Sequence, residues 1–184
     1  MNEGAATPTA ASGAARWPTT SARAASLHRL DPDGSASVQL TGVTISNGLE
    51  WSPDGALAYY NDTQTGRVDV FDYDRESGSP VGALRAGRRG RAPRRPDGRR
   101  RGRVWTAIFD QGVVHRYDRA GRLGEVVEVE ARQVTACTFG GPALGELYVT
   151  TSREGLEEGD DPLAGSLFRV SPGVRGLPVR EFTG

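Results

Sequence analysis

At 184 residues the chain is long enough for one domain with a real core, yet hydrophobic residues are only 36% and aromatics 7%, while 25 Gly and 11 Pro favour turns over helices. The formal charge of +0 hides an asymmetry: all 23 basic residues are arginine, ten of them lie between Arg85 and Arg103, and the rest of the chain sets 13 Arg against 22 Asp and Glu. One cysteine excludes an internal disulfide, and no run approaches the ~18 apolar residues that a membrane span needs.

Taken in chain order, the N-terminal MNEGAATPTAASGAARW has no apolar core of the signal-peptide kind, so a soluble, cytoplasmic protein is expected. SLHRLDPDG (26–34) is the first strand-like run and closes on Asp33-Gly34. NGLEWS and ALAYYND follow, separated by a second Asp-Gly at 54–55, and then RVDVFDYD (67–74). Each run is short, β-branched or aromatic, and bounded by Gly, Pro, Asp or Asn, and the Asp-Gly pairs supply the positive φ of tight hairpin turns.

The pattern breaks at RAGRRGRAPRRPDGRRRGR (85–103). Ten arginines there would hold phosphate nonspecifically, but no aromatic residue is interleaved to stack on bases. A solvated, disordered loop is therefore expected over 85–101, with neither nucleic acid nor membrane as a partner. Strand-like runs resume with GRVWTAIF, VVHRYDRAG (113–121), VTACTFG, ELYVTTS and SLFRVSPG (166–173), and helical periodicity is absent throughout. Cys137 reads as a small strand residue rather than a nucleophile. His28 and His115 fall at equivalent strand positions and read the same way, and Glu157, Glu158, Asp160 and Asp161 read as an acidic surface loop.

Asp31, Asp72, Asp118 and Ser171 occupy matching places in these runs, 41, 46 and 53 residues apart. That is a supersecondary period. Repeated four-stranded antiparallel units of this length point to an all-β fold, a partial β-propeller of about three and a half blades, with a plain antiparallel sandwich as the structural alternative. An incomplete ring leaves sheet edges open.

The wording of three segments is specific: ISNGLEWSPDGALAYYNDTQTGRVDVFDYD, VTACTFGGPALGELYVTTSRE and LAGSLFRVSPGVRGLPVREFTG resemble the gluconolactonase and regucalcin family, the senescence marker proteins. The resemblance covers Ala24 to Pro80 and Gly102 to Gly184. It implies a six-bladed propeller with one divalent cation, Ca²⁺ or Zn²⁺, at its centre, and hydrolysis of a sugar lactone as the activity. A hard cation on oxygen ligands polarises a lactone carbonyl and acidifies a bound water, and a neighbouring carboxylate moves the proton.

Carried over residue by residue, Asn47 in Ser46-Asn47-Gly48-Leu49 matches the family's metal-ligand Asn, with Gly48 letting the backbone turn closely. Asn2, in Met1-Asn2-Glu3-Gly4, matches a substrate-contacting Asn. The family's first-blade Glu ligand has no counterpart, and the catalytic acid/base is unassigned. Asp97 lies in a P-D-G motif as the family's Asp does, but it precedes Trp105 by eight positions, three too few, and Arg94 stands where that Asp should fall.

If 91–101 is encoded by GC-rich codons, a set can be chosen that reads GLPDGLTVDAD one base out of register, which restores both motif and length. The segment 6–13 likewise becomes the family's CDPDGRFW. The expectation is thus one propeller domain over 1–184 with 5–23 and 85–101 out of frame or disordered, derived from a lactonase but truncated and inactive. The alternatives are a noncatalytic calcium-binding or interaction fragment, and a chain without a stable fold.

Overall fold

The computed structural model describes residues 3–8, 12–16, 25–84, 103–118 and 121–181. It falls into two compact units, Met1–Gly102 with Val179–Gly184, and Arg103–Pro178. Asn2, Asp97 and the whole of 85–101 lie outside the described residues, as does much of 5–23.

The first unit holds two four-stranded antiparallel sheets, each a meander in chain order. One comprises β1 (Glu3–Ala6), β2 (Ser12–Arg16), β3 (Ala25–Leu30) and β4 (Ala36–Val43); the other β5 (Ser46–Trp51), β6 (Leu57–Asp62), β7 (Arg67–Asp74) and β8 (Ser79–Leu84). Both Asp-Gly signals mark real hairpin turns, with Gly34 at φ 84° and Gly55 at φ 68°. In the first, Ser35 N–H donates to Asp33 Oδ1 at 2.9 Å. In the second, Ser52 Oγ donates to Asp54 Oδ1 at 2.5 Å and accepts from Leu57 N–H at 3.0 Å. The two sheets share a core: Ala25, Leu27, Val43 and Tyr60 form one cluster, Trp51, Ala58 and Tyr73 another, and Leu49 and Phe71 pack against both. Trp51 meets Tyr73 edge-on at 5.8 Å, a favoured aromatic geometry. Arg29 also ties the sheets together, pairing with Asp31 and donating to Ser77 O and Ser79 Oγ.

The second unit holds two three-stranded antiparallel sheets, β9 (Val104–Ile108), β10 (Val113–Tyr117) and β11 (Leu123–Glu128), then β12 (Val134–Gly140), β13 (Glu146–Thr151) and β14 (Leu167–Val170). Burial alternates along β10 and β13, as it must where one sheet face meets a core. Val114, Val134, Leu147 and Val149 are wholly buried, with Trp105 and Phe139 edge-to-face beside them at 5.6 Å. Arg116 is buried too, and its charge is matched by Glu125 and by the face of Trp105, 5.2 Å from the ring centre.

Among the described residues the only helical turn is the 3-10 segment η1 (Thr63–Thr65). The expected all-β class therefore holds.

Candidate functional site around Asn47

Asn47 sits where β5 begins, and a break in the ladder places it there. Ser46 pairs with Asp62 and Leu49 with Tyr60, so Asn47 and Gly48 together oppose Asn61 alone. Such a bulge re-aims the side chain that it carries. Gly48 has φ 94°, and a Cβ there would lie 3.3 Å from the Asn61 Cβ, so both the backbone conformation and the close approach call for glycine.

The bulge is gripped from the end of β6. Asp62, only 5% exposed, accepts from Thr44 N–H at 3.0 Å, Thr44 Oγ1 at 2.5 Å and Ile45 N–H at 2.8 Å. Thr63 N–H donates to Ile45 O at 2.9 Å, and Asn47 Nδ2 donates to Thr63 Oγ1 at 3.0 Å. With Nδ2 committed in this way, ligation of a cation by Asn47 falls to Oδ1, the atom that a hard ion takes.

Burial pushes the Asp62 carboxyl up, but the hydrogen bonds from Thr44, Ile45 and Gln64 outweigh it and hold the group below its ordinary value of 3.8. A carboxyl whose folded pKa is depressed adds stability above its unfolded value and loses it as pH falls through the folded one. Asp62→Asn is accordingly expected to flatten the fall in thermal stability of the first unit between about pH 5 and pH 2. Melting curves at a series of pH values check this, and parallel profiles for both proteins would count against it.

The other candidates are less promising as chemistry. Burial pushes the Cys137 thiol up to about 11, which leaves almost no thiolate at neutral pH. Alkylation by iodoacetamide at pH 7.5 should run roughly a hundredfold slower in the folded chain than in urea, and equal rates would overturn the inert reading. His115 Nδ1 lies 2.9 Å from the Tyr117 hydroxyl, and burial lowers the imidazole pKa, so it is a neutral strand residue. His28 lies on β3, against Ala14 and Val38 of its neighbours. In the acidic loop, Asp160 accepts from Glu157 N–H at 3.2 Å and closes a local turn, while Asp161 accepts from Arg132 N–H, 29 residues earlier, at 2.7 Å and ties the loop to the start of β12, so two of its carboxylates serve the backbone.

The donor set among the described residues does not suit a divalent cation. Among the described residues no group of three or more His, Cys, Asp and Glu side chains could hold a metal, and Asn47 Nδ2 donates to a threonine hydroxyl. Neutral oxygens alone hold a divalent ion poorly. Sequence reasoning missed Asp62, Thr63 and Thr44. The trace that points to Asp62 is an acid closing an apolar strand, LAYYND, rather than the turn that follows it.

The family model described as SMP-30/Gluconolactonase/LRE-like region matches residues 2–153. Regucalcin from Bos taurus is 35% identical over 170 residues, covering 88% of this chain and 57% of that protein. Regucalcin from Homo sapiens is 34% identical over 166 residues, covering 86% and 56%. The chain thus spans just over half the length of these relatives. Among solved structures, a calcium-binding regucalcin from Agrobacterium tumefaciens superposes with a TM-score of 0.78 at 26% identity, over 92% of this chain and 60% of that one. A luciferin-regenerating enzyme superposes with a TM-score of 0.75 at 29% identity, over all of this chain and 63% of that one.

Proposed function

The chain belongs to the SMP-30/gluconolactonase/LRE-like family, and from that premise we propose that it is part of a sugar-lactone hydrolase fold in which Asn47 belongs to the cation site. The family match carries this reading. The bulge at Asn47-Gly48 supports it, because it spends a ladder position and a glycine on aiming one carboxamide. The same reading takes the four sheets as blades of a β-propeller, which is supported by each running through consecutive strands of the chain.

In this reading the 184-residue chain by itself does not hydrolyse lactones; what supports it is that the described residues hold no group of three or more His, Cys, Asp and Glu side chains able to take a metal. Asn2 is the proposed substrate contact, lying outside those residues. The cytoplasm is the proposed location; what the structure adds is that no described helix is long and apolar enough to cross a membrane.

A longer protein carrying GLPDGLTVDAD at 91–101 and the N-terminal half of the relatives should show metal-dependent turnover of gluconolactone, abolished by Asn47→Ala. Turnover indifferent to that substitution would remove Asn47 from the site. The Agrobacterium relative is described as calcium-binding, which favours a second reading in which the fragment binds Ca²⁺ without catalysis; calorimetric heat of Ca²⁺ binding without turnover would support it.

A further inference from the structure

A carboxylate on one strand reaches back across the sheet to hold the segment that delivers Asn47. Asp62 is buried, and three of its contacts fall on two consecutive residues, Thr44 and Ile45, the link between β4 and β5. Its successor Thr63 completes the clasp, donating N–H to Ile45 O and receiving Asn47 Nδ2 on its hydroxyl. Thr65 Oγ1 in turn donates to Asp62 O at 2.7 Å, fixing the turn on which Asp62 and Thr63 ride. An anionic acceptor suits this place because amide donors from two successive residues converge on it, and charge-assisted bonds are the strong ones.

We infer that Asp62 is a positioning residue: through Thr44, Ile45 and Thr63 it sets the orientation of the Asn47 carboxamide. This rests on the reading of Asn47 as a functional residue, but it concerns geometry that exists without any cation. Asp62 touches neither substrate nor metal in this role. The bulge interrupts the register of β5 against β6, and the bonds of Asp62 and Thr63 fall on the residues that lead into it and on the Asn47 carboxamide itself.

The test uses the ¹⁵N-labelled 184-residue chain, whose three asparagines make the side-chain NH₂ signals assignable. In Asp62→Asn the Asn47 NH₂ resonances should move and the amide exchange of Ile45 should rise on the order of tenfold, while the indole signal of Trp51 stays in place. Thr44→Val, which removes one donor and keeps the carboxylate, should give a smaller change of the same kind, and it serves alone if Asp62→Asn does not fold. Asp33→Asn, at an exposed turn acid with a comparable backbone bond, should leave Asn47 unmoved. A folded Asp62→Asn or Thr44→Val chain that melts lower with Asn47 and Ile45 unchanged would show Asp62 to be structural only and overturn the inference. Because the readout needs neither metal nor lactone, a failure of the hydrolase reading leaves a different signature: unchanged clasp results with no turnover in the longer protein.

Discussion

The purified 184-residue chain, supplied in turn with Ca²⁺, Zn²⁺ and Mn²⁺, is expected to open gluconolactone no faster than buffer. Lewis-acid hydrolysis needs an ion held firmly at the carbonyl, and most of the attraction for such an ion comes from carboxylates. The described residues bring no such cluster together, and Asn47 contributes only a neutral carboxamide whose nitrogen is turned to Thr63. The resemblance adds to this expectation, since it implies a P-D-G carboxylate at the place of Arg94, and an arginine repels what a carboxylate would attract. The expected ratio of catalysed to background rate is therefore about one, against the 10⁶ or more usual for an enzyme. Metal-dependent turnover by this chain, lost in Asn47→Ala, would show that the site is complete and that the Arg-rich segment is a working part of it.

Leu147→Ala is expected to destabilise the second unit by roughly 3 kcal/mol. Leu147 is wholly buried on β13, between Phe139 of β12 and Val170 of β14, in one cluster with Val114, Val134 and Val149. Truncation removes buried methyl groups and leaves a void that close-packed strands collapse into only in part. For a unit of this size that corresponds to a drop in Tm on the order of 10 °C or more, readable by circular dichroism or by exchange of β13 amides. Leu177→Ala, at a residue 57% exposed, should stay within about 0.5 kcal/mol. Equal effects at the two sites would mean that this core does not form, which is the outcome expected of a chain without a stable fold.

Much of the architecture was legible because strands and hairpin turns are local. SLHRLDPDG and SPDGALAYYND announce their turns through Asp-Gly, and Gly34 and Gly55 adopt the positive φ that the pair supplies. RVDVFDYD and ELYVTT fall within β7 and β13 as read from their β-branched and aromatic content. Asn47 was singled out through the wording of its motif, and the bulge that carries it lies where that motif does. The surroundings of Asn47 were not legible, since Asp62 and Thr44 are 18 residues apart and no local pattern links them.

Sequence by itself determined the all-β class, the Asp-Gly turn positions and the family, because each depends on residue identity within a short window or on the order of such windows. Only the tertiary structure decided that Asn47 and Gly48 share a bulge opposite Asn61, that a buried Asp62 clasps the residues before them, and that Arg116 can be buried because Glu125 and Trp105 meet it. It also decided that Arg180, at the far end of the chain, returns to donate to Ser52 O at 3.3 Å. These depend on pairing register and on hydrogen bonds between residues distant in sequence. A shift of one residue in the register of β5 against β6 would turn the side chains of β5 to the opposite face of the sheet, with every local signal in the sequence unchanged.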